Sequence, residues 1–221
     1  MLPTLANAFA AIPFVATELV IGFGVFWLGQ FAYQKLFRRL DLNLELFVKD
    51  NFAVAIALVG YYLGIVTALA GVLDKEAGTW QTRLLFLVSY GASVILLMLA
   101  GAWVGDRFIL RRCNCVREVQ EQHNIGAAAV EAGIHVANGL ILSAALAGES
   151  GGWLVGLVCW LLGMAVLVVV SFVYPRIATY NVFGEIRDRK NPAAGVALAG
   201  LLIATGNVVR TAFEPEFENW G

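Results

Sequence analysis

The sequence predicts an all-α, polytopic membrane protein: six transmembrane helices, arranged as three tandem helix-hairpin repeats joined by short interfacial connectors. Composition, the length of the apolar runs and a pattern that returns three times along the chain predict it. Of the 221 residues, 60% are hydrophobic and 14% charged, with a mean hydropathy of +0.77. A soluble domain holds about 45–50% apolar and about 25% charged residues. Lys and Arg number 15 against 16 Asp and Glu, so no basic excess invites nucleic acid, and no hydrophilic block is large enough for a conventional catalytic domain. With two His and three Cys, neither a metal nor a cofactor is expected.

A helix needs about 20 mainly apolar residues to cross the hydrocarbon. Six runs qualify, over 9–37, 52–73, 84–108, 125–147, 153–174 and 192–213. No Lys or Arg precedes Lys35, so the first run lacks the basic start of a cleaved signal peptide and reads as a retained first helix. Basic residues follow the first, third and fifth helices: Lys35, Arg38, Arg39 and Lys49, then Arg107, Arg111, Arg112 and Arg117, then Arg176, Arg187, Arg189 and Lys190. Only Lys75, Arg83 and Arg210 lie elsewhere, and the tail 214–221 is acidic. Basic loops stay cytoplasmic, which places the connectors inside and both termini outside the cytoplasm.

Aligning Asn51, Asn124 and Asn191 exposes the repeat. Six residues upstream stand Glu45, Glu118 and Glu185, each followed by an aliphatic residue; ten upstream stand Asp41, Asn114 and Asn181. Nine downstream are Gly60, Gly133 and Gly200, and small residues fill the positions two (Ala53, Gly126, Ala193), four (Ala55, Ala128, Gly195) and thirteen (Gly64, Ala137, Ala204) downstream. The chain thus reads as one membrane domain, 1–221, of three units, about 9–73, 84–147 and 153–213. Each unit is an outer helix, a connector and an inner helix. Small residues let inner helices approach closely, so the even-numbered helices are expected to pack centrally and the odd ones to face lipid. Each copy starts on the same side, which predicts an axis along the membrane normal.

Asn is among the best N-caps, and Pro192 suits a first helical position, so Asn51, Asn124 and Asn191 are expected to cap the inner helices. Gly60, Gly133 and Gly200 are expected to serve packing. The recurring Glu45, Glu118 and Glu185 either pair with connector bases, hold amides at a helix start, or line a cation entrance. Glu131, His135 and Asn138 form a polar stripe on the fourth helix. Glu131 lies about 10 Å beyond the helix start, at 1.5 Å per residue. Ionisable groups at such depth are functional candidates, here a proton relay or cation site on one reading and a hydrogen-bonded packing pair on the other. Glu18 and Arg210 fall at similar depth on the outer side, which suggests an ion pair between first and last helices; the alternative is an Arg210 that snorkels. Cys113 and Cys115 belong to a connector assigned to a reducing compartment, which disfavours a disulfide, and Cys159 reads as helix filler. No phosphate-binding loop, nucleophile elbow or zinc-protease motif is present.

At the stretches 41–64, 114–137 and 181–204, above all Asn51-Phe52-Ala53-Val54-Ala55 and Asn191-Pro192-Ala193-Ala194-Gly195, the sequence resembles the YjfL-like bacterial inner-membrane family, DUF350, catalogued as a domain of unknown function. The resemblance covers nearly the whole chain. It implies an inner-membrane protein without an established activity, whose relatives are mentioned alongside membrane-stress genes. Family members usually look like two hairpin units, so the third is a departure. Two functions follow. One is a non-enzymatic scaffold or sensor whose partners are membrane lipids, further copies of itself or peripheral membrane-stress proteins. The other is a cation or proton path between the even-numbered helices.

Overall fold

A computed structural model describes residues 5–73, 80–111, 114, 116–147 and 152–213; Lys75, Arg112, Cys113, Cys115 and the tail 214–221 fall outside the described residues. The chain is helical, with no strand among the described residues. Its helices are α1 (Leu5–Phe31), α2 (Phe52–Leu73), α3 (Trp80–Val104), α4 (Ile125–Ala145), α5 (Gly152–Ile177), α6 (Val182–Arg187) and α7 (Pro192–Phe213). All but the short α6 contribute segments long and apolar enough to cross a membrane. α2 and α7 have the bounds that hydropathy predicts, whereas α3 begins earlier and α5 ends later than their apolar runs.

α4 is the centre of the molecule. It packs along its length against α2 on one side and α7 on the other, and against α3 and α5 on one face. In lipid no hydrophobic force draws helices together, so close van der Waals contact has to do it. Gly60 of α2 lies on the backbone of Ala132 of α4; Gly133 of α4 lies on Ala199 of α7, where an added Cβ would stand 2.7 Å from the Cα. Gly64 on His135 and Gly206 on Ala137 repeat the pattern further along.

The second, fourth and sixth spanning helices are α2, α4 and α7, and the expectation that all three are central needs correction. α1, α3 and α5 cover only one face of the row α2–α4–α7. The opposite face carries an apolar groove of about 390 Å³, lined by Phe52, Val59, Leu63, Ala132, Val136 and Ile203 among others. α2 and α7, at the ends of the row, each keep an exposed side, with Val59, Val66, Val196 and Val208 more than half exposed. Only α4 has no exposed residue.

The three connectors share one construction. Asp41, Asn114 and Asn181 each accept a bond from the amide three residues on (Leu44, Arg117 and Gly184) at 3.1–3.2 Å. Their carbonyls accept from the amides of Glu45, Glu118 and Glu185. The residue before each capping Asn has a left-handed backbone: Asp50 (φ 49°), His123 (φ 53°) and Lys190 (φ 50°). Such a turn is strained for a residue with a side chain, though Asp and His tolerate it better than most. It redirects the chain into the inner helix.

Candidate functional site

Asn51, Asn124 and Asn191 stand where each connector meets its inner helix. Their Oδ1 atoms accept from the amides of Val54 (3.3 Å), Ala127 (3.1 Å) and Ala193 (3.0 Å). Their Nδ2 atoms donate to Glu45, Glu118 and Glu185 at 2.9–3.0 Å. The recurring Glu therefore fixes the orientation of the capping amide in its own unit. Glu45 also takes Lys49 at 2.7 Å and Glu185 takes Arg189 at 3.0 Å. Two of the amides reach further: Asn51 donates to the carbonyls of Val119 and Gln120, and Asn124 to that of Ile186. α2 and α4 are thereby each tied to the next connector.

This difference ranks the three caps. Losing a cap costs about 1 kcal/mol, and each further hydrogen bond lost contributes about 1 kcal/mol, more where a buried charged partner is orphaned. Asn124→Ala leaves the buried Glu118 without its amide partner and is expected to cost about 2–3 kcal/mol. Asn191→Ala, whose Glu185 keeps Arg189, is expected to cost about 1 kcal/mol. Unfolding of the two variants in mild detergent, followed by tryptophan fluorescence, checks the order.

A second set of polar groups lies deeper. The turns that end α1 (Ala32–Phe37) and α3 (Gly105–Ile109) widen to π-helical bonding, with Arg38 donating to the Tyr33 carbonyl and Leu110 to that of Gly105. Such bulges recur at functional sites because they re-aim side chains. Here they bring Tyr33, Arg38 and Asp106 onto α4. Arg38 forms a two-pronged pair with Asp106 (2.7 and 2.9 Å) and donates to Glu131 at 2.6 Å. Tyr33 donates its hydroxyl to Glu131 at 2.5 Å and lies 3.2 Å from Nε2 of His135. Tyr61 of α2 stacks on Tyr33, and the His135 ring stands edge-on to both.

Arg38, Glu131 and His135 are all buried. Burial opposes the charge on Arg38, but Glu131, Tyr33 and Asp106 outweigh it, and the guanidinium holds its proton well beyond its ordinary range. Among the described residues, Nδ1 of His135 has no hydrogen-bond partner. One guanidinium faces two carboxylates. Asp106, the most exposed member, has a side chain 28% accessible.

The predicted polar stripe is split. Glu131 and His135 enter this cluster, whereas Asn138 accepts from Trp160 at 2.8 Å and donates to the Leu97 carbonyl, joining α5, α4 and α3. The proposed Glu18–Arg210 pair is replaced: Glu18 pairs with Arg83 at the start of α3, because the neighbour of α1 is α3. Gly60 and Gly133 lie at helix contacts, but an added Cβ on Gly200 would meet nothing within 4 Å. Among the described residues, no group of three His, Cys, Asp or Glu could hold a metal. Sequence reasoning missed Arg38, Tyr33 and Asp106 as a site. The available signal was Asp106, an acidic residue at the end of an otherwise apolar run and bracketed by Arg107.

The family model for a Domain of Unknown Function, DUF350, matches residues 5–146 and 150–220. The chain belongs to the DUF350 family. A relative, the UPF0719 transmembrane protein of Aquifex aeolicus (strain VF5), is 23% identical over 199 residues, covering 87% of this chain and 71% of that protein. No solved structure matches. This DUF350 chain is a transmembrane protein, and neither the family description nor the name of the relative carries an enzyme activity.

Proposed function

We propose that this DUF350 protein is a non-enzymatic module of the bacterial inner membrane that scaffolds or senses at the cytoplasmic surface, with its connectors inside and both termini outside. One observation carries the reading: α2, α4 and α7 pack backbone on backbone, so that not even an added Cβ fits between them at Gly60, Gly133 and Gly206. Such a row is rigid and sets three connectors side by side, two of them tied to the preceding helix through Asn51 and Asn124. The connectors expose Arg39, Arg117, Arg187, Arg189 and Lys190, a basic surface suited to anionic headgroups or acidic peripheral proteins. Sensing falls to the Arg38–Glu131–His135 cluster. It joins the ends of α1 and α3 to α4, so a change in its charge alters how three helices are held.

A cation or proton path between the even-numbered helices is the competing reading, and those same backbone contacts weigh against it. The test is ion flux into liposomes carrying purified protein, under potassium and proton gradients. The expected rate equals that of protein-free liposomes. Flux above that rate, abolished in the Glu45→Gln/Glu118→Gln/Glu185→Gln triple variant, overturns the scaffold.

A further inference from the structure

The first two units each close a seam with the outer helix that follows, but with different contents. The turn that ends α1 packs on α3, and the turn that ends α3 packs on α5. An arginine stands thirteen residues before the capping Asn in each, Arg38 before Asn51 and Arg111 before Asn124. At the first seam the chain supplies the anions. Arg38 pairs with Asp106, eighteen residues before Asn124, and with Glu131, seven residues after it. At the second seam the same offsets from Asn191 hold Val173 and Leu198. Arg111 is exposed and lays its guanidinium on the ring of Phe172, 3.7 Å from the centroid. A second guanidinium reaches the same residue, since the exposed Arg176 donates to the Phe172 carbonyl at 2.7 Å. Among the described residues, neither Arg111 nor Arg176 pairs with a carboxylate.

We infer that Arg111 and Arg176 bind the phosphate of an anionic phospholipid at the seam between α3 and α5. Stacking occupies only the face of a guanidinium, whose N–H donors lie in its plane. Arg111 uses none of those donors on the described residues, and such a fork fits phosphate oxygens two at a time. Two positive charges gathered at one residue also repel, and an anion held by both relieves the repulsion. The setting selects a lipid over a soluble phosphate. The third and fifth spanning segments end at Ile109 and Ile177, which puts both arginines at headgroup depth, where basic pockets between helices take acidic lipids. Val173, in the place that Asp106 has at the first seam, is 46% exposed, and Val169 and Val166 continue the same helix face at 59% and 42%. That apolar strip runs from the arginines into the bilayer and offers a wall to the acyl chains. The inference narrows the proposed basic surface to one site, and it rests on that reading only for the leaflet, the cytoplasmic one.

Native mass spectrometry of the full-length chain in detergent, titrated with dioleoyl phosphatidylglycerol, reads the dissociation constant of the first lipid bound. The native chain is expected to bind it more tightly than dioleoyl phosphatidylcholine, whose choline offsets the phosphate charge. Arg111→Gln/Arg176→Gln is expected to weaken phosphatidylglycerol by about tenfold or more, because charge-assisted hydrogen bonds are lost. Arg39→Gln/Arg117→Gln removes as much connector charge and is expected to bind as the native chain does. Val173→Asp supplies the carboxylate that the second seam lacks and is expected to weaken the lipid as strongly with both arginines in place. Positions 111, 173 and 176 are exposed, so the unfolding midpoints of these variants are expected to match the native one. Equal weakening in the two double variants, native-like binding by Arg111→Gln/Arg176→Gln or by Val173→Asp, or no preference over phosphatidylcholine overturns the site. Displacement of the lipid by an equal concentration of glycerol 3-phosphate overturns its assignment to a lipid. These constants are read without ion flux, so failure of this site and failure of the scaffold are separate results.

Discussion

Replacing Arg38 by Met is expected to destabilise the chain by about 3–5 kcal/mol, the range for removing one partner of a buried ion pair. Arg38 is the one Lys or Arg among the described residues that pairs with Glu131, and Glu131 is 3% exposed. Without it, a carboxylate inside the helix bundle is left with Tyr33 and His135, and Asp106 loses both its bonds from the guanidinium. Glu131→Gln is the milder change. It retains acceptors for Tyr33 and Arg38, and Arg38 keeps Asp106, so about 1–2 kcal/mol is expected from exchanging charged for neutral hydrogen bonds. The Arg38→Met/Glu131→Met double variant removes the orphaned charge and is expected to recover at least half of the loss. Equilibrium unfolding in mild detergent measures all three. Equal losses in the Arg38 single and the double variant would show that the pair does not stabilise the bundle in this way.

The same substitution at two corresponding glycines is expected to give opposite results. Gly133→Ile drives a branched side chain into Ala199, whose Cα would already stand 2.7 Å from the new Cβ. Overpacking a fitted core costs about 1–3 kcal/mol when side chains can shift, and more when backbone must. Here α7 would have to move away from α4 along its length. Folded yield is expected to fall sharply, together with the unfolding midpoint. Gly200→Ile meets open space and is expected to leave the midpoint unchanged. Side-by-side melts of the two variants decide the matter. A destabilised Gly200→Ile chain would mean that α7 packs differently within the molecule.

Most of the architecture is legible because it depends on local properties. Apolar length sets α2 and α7 to the residue, and the Asn caps depend only on residues a few positions away; the close helix contact occurs at Gly60 and Gly133 but not at Gly200. The covering of the inner row was not legible. Which face α1, α3 and α5 occupy depends on packing among bulky side chains, and runs such as 94–99 are equally apolar all round. The charged cluster was only half legible. Glu131 and His135 stand out as ionisable groups in an apolar helix, but Arg38 counts in the sequence as one more connector base. It takes a π-helical turn to point it inward, and no periodicity of 3.6 residues announces such a turn. Arg83 was passed over for the same kind of reason: partner choice for Glu18 follows from α1 lying beside α3, a tertiary fact.

Backbone contact between the inner helices leaves no room for a water-filled path, and thiol accessibility measures whether water enters there. Ala57 of α2 faces α4 and is 4% exposed; Ala137 of α4 faces α7 and is 0% exposed. In a chain freed of its native cysteines, Ala57→Cys and Ala137→Cys are expected to resist a charged, membrane-impermeant thiol reagent in native membranes. Both are expected to react fully once the protein is denatured, while Arg117→Cys on the exposed connector reacts at once. Labelling of Cys at position 57 or 137 in the folded protein would reveal a water-filled path between the inner helices and overturn the closed packing of α2, α4 and α7.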